Sequence, residues 1–158
     1  MSVNKDEIAY FMIANNFHLE NNCAILSITG YPENTFPTIL DMAKQNSNLK
    51  VYTLHNYSYV GMNLVYNLKT QPNWFLNHQV QIYDLGLSYQ QPMNMENLFI
   101  RKDSDSQKRE LLFEVRQYLS SLAVEWLENG YYLELESFSL KFLLRLVKQG
   151  INQTIKTP

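Results

Sequence analysis

The sequence predicts an α/β domain: a mostly parallel sheet flanked by helices, followed by a C-terminal helical segment. Three observations predict it. Short apolar runs at 23–28, 51–54 and 80–83 alternate with stretches of helical periodicity, which is the signature of βαβ units. Turn-forming clusters punctuate them, Gly30-Tyr31-Pro32-Glu33-Asn34 after the first run and Gln71-Pro72-Asn73 before the third. Beyond residue 103 the strand signal stops and long helical patterns take over.

Element by element, Ile8, Phe11, Met12 and Ala14 recur at helical spacing, predicting a helix over 5–17 with Asn4 as its cap. Residues 23–28, with Ile25, Leu26 and Ile28, read as a buried strand. A helix over 36–45 follows, with Thr35 as cap, Pro37 in the first turn and Ile39, Leu40 and Met42 inward. The strand at 51–54 leads into a helix over 59–69, carrying Met62, Leu64, Val65 and Leu68. The strand at 80–83 completes the sheet, and 88–95 read as a loop. One long helix over 107–128 is predicted from Leu111 to Trp126, ended by Gly130. A last helix covers 137–149 and the tail 152–158 is expected to fray. The whole is one domain, with a βα core at 1–103, a helical part at 104–151 and the tail. Parallel strands of this kind place ligands at their carboxyl ends, here Thr29-Gly30, His55-Asn56 and Asp84-Leu85.

Composition narrows the function. Apolar residues make up 46% of 158, enough for one core, while charged residues are only 18% and the net charge is -2. That balance argues against strong nonspecific nucleic-acid binding, which needs an excess of Lys and Arg. The single cysteine, Cys23, can form neither an intrachain disulfide nor a cysteine-based zinc site. It reads as a small buried residue inside a strand, where a nucleophile would be inaccessible. The polar, acidic N-terminus is unlike a secretory signal and no apolar run reaches membrane-spanning length, so the expected location is the cytoplasm, with no membrane partner. No phosphate-binding glycine loop and no Gly-x-Ser-x-Gly elbow is present, and His18, His55 and His78 lack metal-ligand spacing.

The informative stretch is 22–61, which reads NCAILSITGYPENTFPTIL, a spacer, then VYTLHNYSYVGMNLVY from residue 51. It resembles the metal-binding Toprim domain (a Rossmann-like fold) of the A subunit of type IIB DNA topoisomerases and its relatives in meiotic double-strand breakage. Gly30-Tyr31-Pro32 matches the family turn, and Leu54 to Met62 overlays the Asp-x-Asp-Pro-x-Gly motif with Gly61 on its glycine. Leu85-Gly86-Leu87 and Leu133-Glu134-Leu135-Glu136 resemble later family elements, so the resemblance spans roughly residues 3–137. It implies a Mg²⁺ site made from one glutamate and two aspartates. In this chain the glutamate position falls on Asn4, followed by a matching Lys5, and the aspartate positions on Asn56 and Ser58. Three neutral side chains replace three carboxylates, and a hard cation prefers carboxylate oxygens. The family's nucleophilic tyrosine belongs to a separate winged-helix domain, which is not expected ahead of Val3.

The leading expectation is therefore a catalytically inactive Toprim-like binding or scaffolding module, without cofactor, in a DNA-processing or genome-defence assembly. The vacated site would comprise Asn4, Lys5, Gly30, His55, Asn56, Ser58, Gly61 and Asp84. One alternative is a Mg²⁺-dependent nuclease- or topoisomerase-like enzyme using displaced acids, Asp6 or Glu7 with Asp84 and His55. Another is a nucleotide- or small-molecule-binding module at the Gly30, Asn56 and Ser58 edge. Trp126, Tyr131, Tyr132 and Phe138 are candidates for an interface with a protein partner or a second copy, because interface cores are rich in aromatics. Nucleic acid would be reached through such a complex.

Overall fold

The computed structural model of the chain describes residues 1–3, 5–33, 35–90, 101–102 and 111–156. Four parallel strands form its main sheet: β1 (Ser2–Val3), β2 (Leu26–Ser27), β3 (Leu49–Leu54) and β4 (Val80–Asp84), in the order β2-β1-β3-β4. Between them run α1 (Asp6–Ala14), α2 (Phe17–Glu20), α3 (Thr35–Gln45) and α4 (Tyr59–Thr70). The second half holds β5 (Arg101–Lys102), α5 (Phe113–Arg116), α6 (Ser121–Glu128), β6 (Tyr131–Tyr132), a single 3₁₀ turn (Leu135–Ser137) and α7 (Leu140–Lys156). Strands β5 and β6 pair antiparallel, as a separate ribbon.

Alternation along the strands divides the core in two. Val3, Tyr52 and Leu54 face a layer built by Ile8 and Met12 of α1, Leu143 and Val147 of α7, and Leu133 and Leu135. Leu26 and Val51 face the opposite layer, with Ile39 of α3, Leu64 and Leu68 of α4, and Phe75. The sheet is buried on both sides, so its strands read as apolar runs, as parallel sheets require.

Several boundaries differ from the expectation, each for a local reason. The central strand β1 has two residues, too few to show a period, yet Ser2 and Val3 are buried and pair with both β2 and β3. The expected strand at 23–28 shrinks to Leu26–Ser27. Cys23 lies outside it and is half-buried, with burial pushing its thiol pKa up. The first helix stops at Ala14 because Asn16 turns to a left-handed φ of 57°, a conformation asparagine tolerates. Its N-cap is Lys5, which makes no side-chain capping bond, and Asn4 lies outside the described residues. Thr35 is the first helical residue of α3 rather than its cap, and Met42 is exposed while Ala43 is buried.

The long helix expected at 107–128 is broken. Residues 107–110 lie outside the described ones, and the rest divides into α5 and α6. Ser120 has extended backbone, and its hydroxyl accepts the Ala123 N–H at 3.2 Å. A serine pair inside a helical pattern offers such a cap in place of the continuous ladder. Tyr118, between α5 and α6, is 87% exposed as a result. Gly130, with φ of 80°, closes the chain after α6 as expected. The last helix starts at Leu140, with Ser139 accepting the Phe142 N–H, and runs to Lys156. Gly150 does not end it, because the bare glycine lets the helix lie against Leu85. The expected frayed tail is helical through Lys156, and Thr154 bonds the Tyr52 hydroxyl at 2.6 Å. Among the described residues no helix is long and apolar enough to cross a membrane.

Ser120→Ala should lower stability by about 1 kcal/mol through loss of the α6 cap. Urea unfolding checks this, against Ser121→Ala as the control with little change.

Candidate functional site

The carboxyl ends of β3 and β4 bring His55, Asn56, Ser58, Gly61 and Asp84 together. His55 leaves β3 fully buried. Its Nδ1 donates to the Asn56 carbonyl at 2.9 Å, since a carbonyl only accepts, and its Nε2 lies 2.8 Å from Asp84 Oδ1. Both ring nitrogens are engaged, so the imidazole has no free atom with which to take a proton from a substrate.

Two glycines make room for the ring. A Cβ at Gly86 would come within 2.1 Å of His55 Cε1. One at Gly61 would lie 2.0 Å from the Asn56 oxygen and 2.9 Å from His55 Nδ1. The Gly86 N–H also donates to Asp84 Oδ1 at 2.7 Å. Burial acts to raise the Asp84 pKa, but the hydrogen bond and charge of His55, the Gly86 N–H and the Thr53 hydroxyl outweigh it and hold the carboxyl below its usual range. The Asp84 side chain remains 51% exposed.

The positions where the resemblance places aspartates carry structural bonds. Asn56 is buried, and its Oδ1 accepts the Leu135 N–H at 2.9 Å. Ser58 caps α4, its hydroxyl accepting the Gly61 N–H at 3.2 Å. Tyr57 and Leu133 exchange two backbone bonds of 3.0 Å between these positions. Lys5 reaches across to Glu136 at 2.7 Å, and that hydrogen bond raises the lysine pKa. Asn4 lies outside the described residues. Gly30 sits in the exposed turn after β2 with φ of 97°, with no heavy atom near its missing Cβ. Near that turn Thr29 donates to Asp6, and hydrogen bonds from Ser27 and Thr29 lower the Asp6 pKa.

These donors do not suit Mg²⁺. Asn56 Oδ1 and Ser58 Oγ already accept backbone N–H groups, and neither brings charge. Displaced acids do not assemble either: among the described residues no group of three or more His, Cys, Asp or Glu is placed to hold a metal ion.

The four interface candidates separate into three places. Trp126 and Tyr131, 5.6 Å apart, are half-buried and join half-buried Tyr89 around the buried Tyr57. Phe138 is buried and stacks on Phe142 at 4.9 Å. Tyr132 lies in β6, half-buried and paired with Arg101.

Sequence reasoning missed a cleft. Asp84, Met62, Tyr118 and Leu119 line both of two adjoining cavities, about 640 and 340 Å³. The first also holds Tyr66 and Glu114; the second runs along Gly86, Leu87 and Tyr89. Only Asp84 at a strand end signalled it, because the broken helix that frames it read as continuous.

Fold and site together define an α/β module with an all-parallel four-stranded sheet and a histidine-centred, hydrogen-bonded strand edge. Comparisons with protein-family models, curated proteins and solved structures gave no match.

Gly86→Ala should cost about 2–3 kcal/mol, since the buried ring cannot yield without strain. Asp84→Asn should cost about 1–2 kcal/mol at pH 7, scaled for its half-exposed carboxylate. Its depressed pKa means that stabilisation is full above the ordinary carboxylate range and fades as pH falls through the folded value. Urea melts at pH 7 and pH 3 should show the full wild-type advantage at the first and a smaller one at the second.

Proposed function

We propose that this chain is a catalytically inactive Toprim-like module that binds or scaffolds within a DNA-processing or genome-defence assembly. The observation that carries the reading is Asn56. It stands where the resemblance places a metal-binding acid, and its amide oxygen instead accepts the Leu135 N–H in a buried site. Ser58 supports it by capping α4. With His55 enclosed and Asn56 and Ser58 committed to backbone groups, the strand edge serves as architecture. Function then lies in what the surface binds.

The reading also bears on the small-molecule alternative. The side-chain oxygens of Asn56 and Ser58 already accept backbone N–H groups, so a ligand at the strand ends would sit beside Asp84 instead.

Thermal melts with and without millimolar Mg²⁺ test the reading. The wild type should shift by no more than about 1 °C, because binding to the native state would raise the midpoint by mass action. Supercoiled plasmid should stay uncut under the same conditions. Asn56→Asp with Ser58→Asp should melt several degrees lower without metal, through carboxylate repulsion, and recover on adding Mg²⁺. Stabilisation of the wild type by Mg²⁺, or metal-dependent plasmid cleavage, would overturn the proposal.

A further inference from the structure

We infer that the cleft beside Asp84 is a docking site for the guanidinium of an arginine side chain on a protein partner. This deepens the binding-module reading and rests on it.

The cleft lies where open parallel sheets receive ligands, outside the carboxyl end of a strand. Its two cavities, about 640 and 340 Å³, fall in the range of small-molecule and peptide-side-chain pockets. Two acids, Asp84 and Glu114, and one cation, Lys69, line the larger one. Asp84 is prepared for a donor. Oδ1 holds the His55 ring and the Gly86 N–H, yet half of the side chain stays in solvent. A carboxylate accepts at about four positions, so it has capacity left. Since His55 is fixed between two glycines, the carboxylate is oriented before any partner arrives.

The remaining lining selects among cations. Tyr66 and Tyr118 supply aromatic faces, and Met62, Val115 and Leu119 an apolar surface. The Tyr66 phenol has its pKa raised, by burial first and then by the Glu114 carboxylate that it bonds. A flat, weakly hydrated guanidinium stacks on tyrosine while its edge meets a carboxylate; a compact, strongly hydrated ammonium does this less well. The space exceeds one guanidinium, and Tyr118, which lines both cavities, is exposed on the broken helix, as are Phe113 and Leu122 on α5 and α6. A peptide segment bearing the arginine therefore fits better than a free small cation.

The test is calorimetric titration of the intact chain with the capped peptide acetyl-Ala-Arg-Ala-amide and its citrulline and lysine counterparts. Citrulline keeps the shape and removes the charge. The arginine peptide should bind, citrulline about ten-fold or more weakly, and lysine clearly less well than arginine. Tyr118→Ala and Glu114→Gln, both at exposed positions, should each weaken arginine binding several-fold with unchanged melting temperatures. Tyr10→Ala, on α1, should leave binding unchanged. Equal binding of citrulline or lysine, indifference to Tyr118→Ala and Glu114→Gln, or no binding to the wild type would overturn the inference. None of these outcomes touches the Mg²⁺ melts, so the two proposals fail separately.

Discussion

The imidazole of His55 ties together the carboxyl ends of β3 and β4 and the start of α4. It leaves β3, lies against the first turn of α4 at Gly61, and is bonded to Asp84 at the end of β4. The same turn of chain carries Asn56 and Tyr57, which bind Leu135 and Leu133. The Tyr57 hydroxyl, buried, donates to the Ala123 carbonyl of α6 at 2.5 Å. Asn56 and Tyr57 thus attach the parallel sheet to the helical half, while His55 and Ser58 on either side of them bond to Asp84 and Gly61. Buried polar groups demand partners, because an orphan costs about 1–3 kcal/mol. Here the side chains of His55, Asn56, Tyr57 and Ser58 each make at least one such bond, and the network specifies a single arrangement of sheet and helices.

That constraint explains which glycines matter. Gly61 and Gly86 have ordinary backbone angles and are required by contact, whereas Gly30 and Gly130 are placed by positive φ. A histidine ring needs more width than a strand end normally offers. Removing two side chains opens it, at the entropic expense that glycine carries in the unfolded chain.

The α/β class and the strands at β3 and β4 were legible because the apolar runs are four residues or longer and bounded by turn chemistry. Strand β1 was not, since two residues carry no periodicity. The break at Ser120 was hidden because Leu111 to Trp126 keeps an apolar rhythm even where Tyr118 points to solvent. At the site, strand-end logic named His55, Asn56 and Asp84, the resemblance added Ser58 and Gly61, and the structure places these five at one sheet edge. Their roles were not legible, because only three-dimensional contact shows that Leu135 and Gly86 complete them. The cleft depended on the helix break and was lost with it.

The neutral residues at 56 and 58 and the closure over this edge belong together energetically. A buried carboxylate without a cation is costly, so an aspartate at position 56 would favour an open edge. Asparagine keeps the oxygen and discards the charge, which lets Leu133 and Leu135 settle at full burial over the strand end. Closing that side leaves the acid on the neighbouring strand, Asp84, half in solvent and already oriented by His55. The docking cleft we infer thus lies one strand away from the covered Asn56, beside the open Asp84.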